Sequence, residues 1–280
     1  MKTSEVAAAR WLPSDTFRDR RAVVTGGGTG LGLEISRGLC ALGADVTILS
    51  RNPDNHAPFL EEAGKRGWKA SAHAVDVREP DAVHELAQRI TKEGAVDILV
   101  NNAAGNFVCP AERMSANAWR AVLGIVLDGT FYCTRSFGRE MIRSGGGQML
   151  NVVATYAWTG MAGVAHSASA KAGVLALTKS LAAEWARYGI RANAIAPGPF
   201  ESEGSAGNLW PNDEARAHVE AGIPLKRFGT ADEVAAQCLH MLSPACDWMT
   251  GECVVLDGGS SLARPFWEPG QRFRRKREAE

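Results

Sequence analysis

Apolar and polar positions alternate between two periods along most of the chain. Short runs rich in β-branched residues, bounded by glycine, asparagine or charge, read as strands at 22–25, 45–49, 69–75, 97–100, 148–153, 192–195 and 253–256. Between them the spacing turns helical. Ile35, Leu39 and Leu42 share one face of a predicted helix, a second covers about 57–66, and Val83, Leu86 and Ile90 stripe a third over 82–90. The spacing predicts one long helix over 116–143 and another over 166–188, and Thr230-Ala231-Asp232-Glu233 is a capping box that opens a further helix. About seven strands, apolar on both faces and interleaved with helices, imply an α/β fold: a doubly wound parallel sheet flanked by helices.

The periodic region runs from 18 to 262 without a linker, so a single domain is expected. Residues 1–17 lack a period and read as an arm. The stretch 198–215, with Phe200 and Trp210 among Pro, Gly, Ser and acidic residues, reads as a mobile segment over a site. Residues 263–280 form a basic tail containing Arg272, Arg274, Arg275, Lys276 and Arg277. The 280 residues are ample for a buried core. Lys+Arg and Asp+Glu both number 31, and this balance argues against a nucleic-acid partner. No apolar run reaches the roughly 18–20 residues of a membrane span, and no secretory pattern opens the chain, so a cytoplasmic protein is expected. The six cysteines form no CxxC pair and read as small buried thiols of a reducing compartment; no metal site is expected.

Chemistry concentrates at the predicted carboxyl ends of the strands. Thr25-Gly26-Gly27-Gly28-Thr29-Gly30-Leu31-Gly32 follows the first strand and opens the first helix. Glycines there let backbone approach a pyrophosphate, and the helix N-terminus offers free N–H groups. The second strand ends Leu49-Ser50-Arg51 with no carboxylate for a ribose diol; Ser50 and Arg51 suit a 2′-phosphate, which favours NADP(H) over NAD(H). Asp76, beside Val77, follows the third strand and can accept from an adenine amino group. Asn106 follows the fourth strand and Tyr156 the fifth. Two neutral donors converging there on one oxygen would make an oxyanion hole. Ser167 and Lys171 share a face of the long helix at i and i+4.

Thr25-Gly26-x-x-x-Gly30-x-Gly32, Asn101-Asn102-Ala103-Ala104-Gly105, Pro197-Gly198 and Asp257-Gly258-Gly259 occur in order across nearly the whole chain. Together they resemble the short-chain dehydrogenase/reductase family. The resemblance implies a Rossmann-like domain, a nicotinamide cofactor (NADPH/NADP+) and a homotetramer. The implied cofactor set is the glycine-rich turn, Ser50, Arg51, Asp76, Val77, Asn102, Ala103, Ala104, Gly105, Lys171, Pro197, Gly198 and Phe200.

Three departures from the family pattern matter. Ser167 stands where the family places its tyrosine, four residues before Lys171. Ala154 stands for its serine, with Thr155 beside it as a weak substitute, and Asp128 stands for its helix asparagine. A serine hydroxyl is a far weaker acid than a phenol, so alkoxide protonation in the usual way is disfavoured. Asn106-Phe107, Tyr156 and Ser167-x-x-x-Lys171 look like the 2,4-dienoyl-CoA reductases. That likeness implies hydride delivery to a conjugated acyl-CoA thioester, with Tyr156 and Asn106 on the thioester oxygen, Phe107 and Ser167 among the substrate contacts, and Ser167 and Lys171 assisting. Ala165-His166-Ser167 and Lys179–Trp185 also resemble trans-2-enoyl-CoA reductases, in which His166 could serve as an acid; a structural role for a histidine at the start of a helix is the favoured reading. A 3-oxoacyl or ketone reductase, and a non-catalytic NADP-binding protein, are the remaining alternatives. Lys226, Arg227 and the tail arginines are candidate partners for a CoA phosphate.

Overall fold

An interior strand of the sheet, β1 (Arg21–Thr25), is buried along almost its whole length, as its Ala-Val-Val-Thr run requires. It pairs in parallel with β2 (Asp45–Ser50) on one side and with β4 (Ile98–Asn101) on the other. The computed structural model describes residues 6–201 and 212–262. Beyond β2 lies β3 (Ala70–Ala74); beyond β4 lie β5 (Gly147–Val152), β6 (Ile190–Pro197) and finally β9 (Cys253–Leu256). All pairs are parallel and the order is β3-β2-β1-β4-β5-β6-β9. The order reverses between β1 and β4. Connections from these two strands leave to opposite faces there, and a crevice opens at their carboxyl ends. A two-stranded ribbon, β7 (Phe200–Glu201) with β8 (Gly229–Thr230), lies outside the main sheet.

Helices fill both faces. On one face α1 (Gly30–Ala41), α2 (Ala57–Arg66) and α9 (Ala231–Leu242) enclose a core that includes Ile35, Leu39, Ile48, Phe59 and Leu239. On the other, α3 (Pro80–Lys92), α5 (Gly129–Ser144) and α7 (Ala165–Trp185) cover Val23, Leu99, Phe137, Met141 and Met149. The capping box at Thr230 forms: its hydroxyl accepts the Glu233 N–H at 3.2 Å and the Glu233 carboxylate accepts the Thr230 N–H at 2.9 Å. The acidic stretch before it forms α8 (Asp213–Gly222), capped by Asn212.

The structure revises four sequence expectations. The helix expected over 116–143 is interrupted: α4 (Ala116–Leu123) and α5 flank a π-helical turn at Gly124–Asp128. A Cβ on Gly129 would meet the Val77 side chain at 2.6 Å, so the helix is pressed against β3's outgoing loop, and the wider turn accommodates that contact. The segment expected as an arm packs over its described part: Val6, Ala8, Ala9 and Phe17 are buried in the first core. Its apolar residues fall in a 3-10 turn at Ala7–Ala9, too short to display a period. The helix expected to reach 188 passes into a 3-10 turn at Ala186–Tyr188, closed by Gly189 at φ 73°. The stretch expected as a mobile segment over 198–215 is regular at its described margins, in β7 and the start of α8; its interior, with Trp210, and the basic tail lie outside the described residues.

Candidate active site

Backbone shapes the cofactor end of the crevice. Gly26 takes φ 64° as the chain leaves β1, and α1 starts at Gly30 with its first N–H groups facing the turn. A Cβ on Gly32 would lie 2.1 Å from the Gly26 carbonyl oxygen, and one on Gly28 would lie 2.4 Å from the carbonyl oxygen of Asn55. No side chain fits at either position. Thr25 serves as a clasp: its hydroxyl accepts the N–H groups of Asn102 and Ala103, both at 3.0 Å, and so ties the end of β1 to the loop after β4. The Asn102 carboxamide donates back to the Thr25 carbonyl at 3.1 Å.

These residues line a cavity of about 240 Å³ that brings together Gly26, Thr29, Ser50, Arg51, Asp76, Val77 and Asn102–Ala104. Ile125, from the π turn, closes its far wall. Arg51 is exposed at its mouth. The Ser50 hydroxyl lies 2.7 Å from His56 Nε2 and 3.0 Å from the Asn52 carbonyl, so it is already oriented. The Asp76 carboxylate accepts from the guanidinium of Arg78, which holds it below the ordinary carboxylate range. Arg78 therefore shares an acceptor expected to be left for adenine. Neither His56 nor Arg78 stands in a motif; each is placed by a turn. Pro197-Gly198 and Asp257-Gly258-Gly259 meet in space: a Cβ on Gly198 would lie 2.5 Å from the Asp257 Cβ. Phe200 follows in β7 and packs on the first core. The donors, the cation and the close backbone approaches suit a dinucleotide.

The substrate end is built from side chains. Tyr156 opens a single helical turn, α6 (Tyr156–Thr159), directly after β5, and its hydroxyl lies 3.1 Å from the Ser167 hydroxyl near the start of α7. Burial raises the phenol's pKa and the Ser167 contact offsets that only in part, so Tyr156 is a protonated donor at neutral pH. Lys171 is buried one turn along the same face, where desolvation pulls its pKa down to about 8. Its ammonium donates to the carbonyl of Val152, the last residue of β5. The Asn106 side-chain oxygen, Oδ1, accepts the Phe107 N–H at 2.9 Å, which leaves the carboxamide's NH2 group as the available donor. Phe107 rests edge-to-face on His166, with ring centroids 4.7 Å apart. Ala154 and Thr155 are buried beside this corner, and Asp128 is exposed at the end of the π turn.

Below the site runs a polar chain that sequence reading missed. Asn101 donates to Asn151 and to Thr134, and Asn151 donates to Thr178, each at 2.8 Å. It crosses the sheet from α5 to α7 and fixes the ends of β4 and β5 in register. Each member resembles an ordinary strand or helix residue until the two helices are seen to cover opposite ends of it. Lys226 and Arg227 are bound locally, to the Ala221 carbonyl and the Glu233 carboxylate. A larger cavity, about 780 Å³, opens at the opposite, amino ends of the strands; its Arg20 and Arg191 are already held by Asp97 and Gln148.

The family described as enoyl-(acyl carrier protein) reductase matches residues 26–261, from the glycine turn to the end of the Asp257-Gly258-Gly259 segment. The chain belongs to the short-chain dehydrogenase/reductase family. Within this family of oxidoreductases it is 42% identical over 246 residues to a Bacillus subtilis (strain 168) protein named as a probable 2,4-dienoyl-CoA reductase, (2E)-enoyl-CoA-producing; the match covers 87% of this chain and 97% of that one. It is 38% identical to the peroxisomal 2,4-dienoyl-CoA reductase, (3E)-enoyl-CoA-producing, of Pongo abelii, over 90% of this chain and 87% of that one. The solved gluconate 5-dehydrogenase of Burkholderia cenocepacia J2315, in complex with NADP and tartrate, superposes with a TM-score of 0.84 at 34% identity, covering 89% of this chain and 99% of that one. No helix among the described residues of this family member is long and apolar enough to cross a membrane.

Proposed function

We propose that the protein is an NADPH-dependent reductase of 2,4-dienoyl-CoA thioesters that forms 3-enoyl-CoA. The observation that carries this reading is the pairing of Tyr156 with Ser167 while Lys171 is committed to the Val152 carbonyl. A protonated phenol held by a neutral serine suits stabilisation of a developing enolate oxygen. It does not suit delivery of a proton to an alkoxide through a tyrosine–lysine relay. The names of the relatives from Bacillus subtilis and Pongo abelii support the same substrate class.

Bound NADPH supplies the hydride. The residues of the chain act on the thioester. Tyr156 Oη and the Asn106 carboxamide donate to its carbonyl oxygen, and negative charge builds there as C5 of the diene gains the hydride. The resulting dienolate takes a proton from water at the α-carbon, which leaves the double bond between C3 and C4. Ser167 holds the phenol in place. Lys171 supports the nicotinamide ribose. Ser50 and Arg51 would hold the 2′-phosphate, and Asp76, shared with Arg78, would accept from the adenine amino group. Around this corner Phe107, Val108, Trp158 and Met161 are exposed, an apolar rim suited to an acyl chain. The two loops that carry it are joined by the Cys109 N–H to Gly163 carbonyl bond at 2.8 Å. Exposed Trp119, Phe131 and Val255 support self-association into the homotetramer that the family implies, which light scattering would test.

Loss of NADPH absorbance with 2,4-hexadienoyl-CoA, beside crotonyl-CoA and a 3-oxoacyl-CoA, tests the reading. Turnover of the dienoyl thioester is expected to dominate, and NMR of the product should show the 3-enoyl isomer. Preference for crotonyl-CoA or the 3-oxo compound would overturn it, and a 2-enoyl product would place the proton at C4. Arg51→Ala is expected to weaken NADPH binding far more than NADH binding; equal effects would remove the 2′-phosphate assignment.

A further inference from the structure

His166 is the most deeply enclosed titratable side chain near the site: its exposure is 0%, and the mechanism above does not use it. Its Nδ1 accepts the N–H of Ser167 at 2.8 Å. That N–H belongs to the first turn of α7 and has no partner within the helix, and Val164 at the helix N-cap provides no side-chain bond. An imidazole nitrogen that accepts from an amide carries no proton, so the neutral ring holds its proton on Nε2. Nε2 has no hydrogen-bond partner among the described residues. The aromatic contact of the ring is Phe107, perpendicular at 89°. A fully enclosed ring with this tautomer is poorly placed to exchange protons with water, which argues against the acid role offered by the enoyl-reductase resemblance and leaves the structural one.

The geometry points instead to a strut. We infer that His166 is a positioning residue that couples the two donors of the oxyanion hole, bracing the Asn106–Phe107 segment against the start of α7. One end of the ring is pinned to Ser167, which holds Tyr156. The same ring packs against Phe107, whose N–H fixes the Asn106 carboxamide. The path from phenol to carboxamide thus runs Tyr156, Ser167, His166, Phe107, Asn106, through contacts that are each direct. Removing the ring frees Phe107 to shift, and Asn106 turns with it. This inference rests on the reading of Asn106 and Tyr156 as the donor pair.

A double-mutant cycle on the intact enzyme tests it, with kcat and KM for 2,4-hexadienoyl-CoA and the Kd for NADPH from fluorescence titration. H166A is expected to lower kcat by about 10–10²-fold, the scale of a small misplacement of a reacting group, with the NADPH Kd unchanged. In an N106A background the same substitution should cost almost nothing, because the residue it acts through is already gone. F107A should reproduce the loss. H166N keeps an acceptor for the Ser167 N–H but is too short to reach Phe107, and it should stay slow; full recovery of kcat in H166N would assign the effect to helix capping and overturn the strut. H166N also carries the cycle if H166A does not fold. Equal losses from H166A in both backgrounds, or no loss at all, overturn the linkage alone. An unchanged rate in N106A itself overturns both the linkage and the donor pair.

Discussion

At the adenosine end of the crevice, Gly32 lies so close to the Gly26 carbonyl that a single added methyl would overlap it; at the substrate end, Tyr156 and Ser167 meet through their side-chain hydroxyls at 3.1 Å. The first region is backbone fitted against backbone, and its tolerance for change is set by excluded volume. The second is side chain fitted against side chain across three separate elements, and its tolerance is set by hydrogen-bond geometry. The first can therefore lose the cofactor altogether through a conservative change. The second can lose rate while the fold and the cofactor site stay intact.

Gly32→Ala gives the sharpest form of that contrast. The added methyl must displace backbone, so detectable cofactor binding should vanish and stability should fall by about 1–3 kcal/mol, read by fluorescence titration and urea melts. Retained NADPH affinity would mean that the turn yields, and the contrast would fail. Next in size, Tyr156→Phe removes one donor from the substrate end and should cut kcat by about 10²–10³-fold with the NADPH Kd unchanged. A parallel loss of cofactor affinity would show that the two regions are not separable.

Lys171 lies where the regions meet, and pH probes it. Its ammonium is favoured below about pH 8 in the free protein, so kcat/KM should decline as pH rises through that value; a Lys171→Arg enzyme, whose charge is fixed, should lack the decline if it folds. Stability should move the other way. Below about 8 both folded and unfolded states hold the proton, and the burial penalty acts in full. Between about 8 and 10.5 the unfolded chain holds a proton that the folded one has released, so stability rises with pH. Urea melts of the wild type against Lys171→Met isolate this contribution; identical pH slopes would contradict it. The smallest effect belongs to a local feature distant from both regions. Thr230→Ala removes the capping hydroxyl of α9 and should cost about 1 kcal/mol of stability, with turnover unchanged in steady-state assays.

Much of the cofactor end was legible in the residues. A glycine string between a strand and a helix, a Ser-Arg ending in place of a carboxylate, and Asp76 after the next strand are local signals, because each depends on neighbours close in sequence. Arg78 and His56 escaped notice because a polar residue in a turn has no signature until the turn closes on its target. The residues of the proposed substrate end could be picked out one by one in the sequence, and their assembly could not. Tyr156, Ser167, Lys171 and Asn106 could be named, but the Lys171 bond to the Val152 carbonyl could not, since 19 residues separate the partners. The buried Asn101–Asn151–Thr178 chain was missed for the same reason. The long helix was overread as continuous because Gly124 and Gly129 leave the helical period intact, while the contact of Gly129 with Val77 comes from another layer.

Sequence alone determined the alternation of strand and helix, the parallel sheet, the glycine turn and the absence of the family's tyrosine. Those follow from side-chain period, backbone freedom and residue identity, which are properties of short stretches. Tertiary structure decided which hydroxyl faces Tyr156, where the Lys171 charge is anchored, which nitrogen of His166 accepts the Ser167 N–H, and where a π turn interrupts the helix over 116–144. Those depend on distances between elements far apart in the chain, and only the packing of both helical layers onto one sheet sets them.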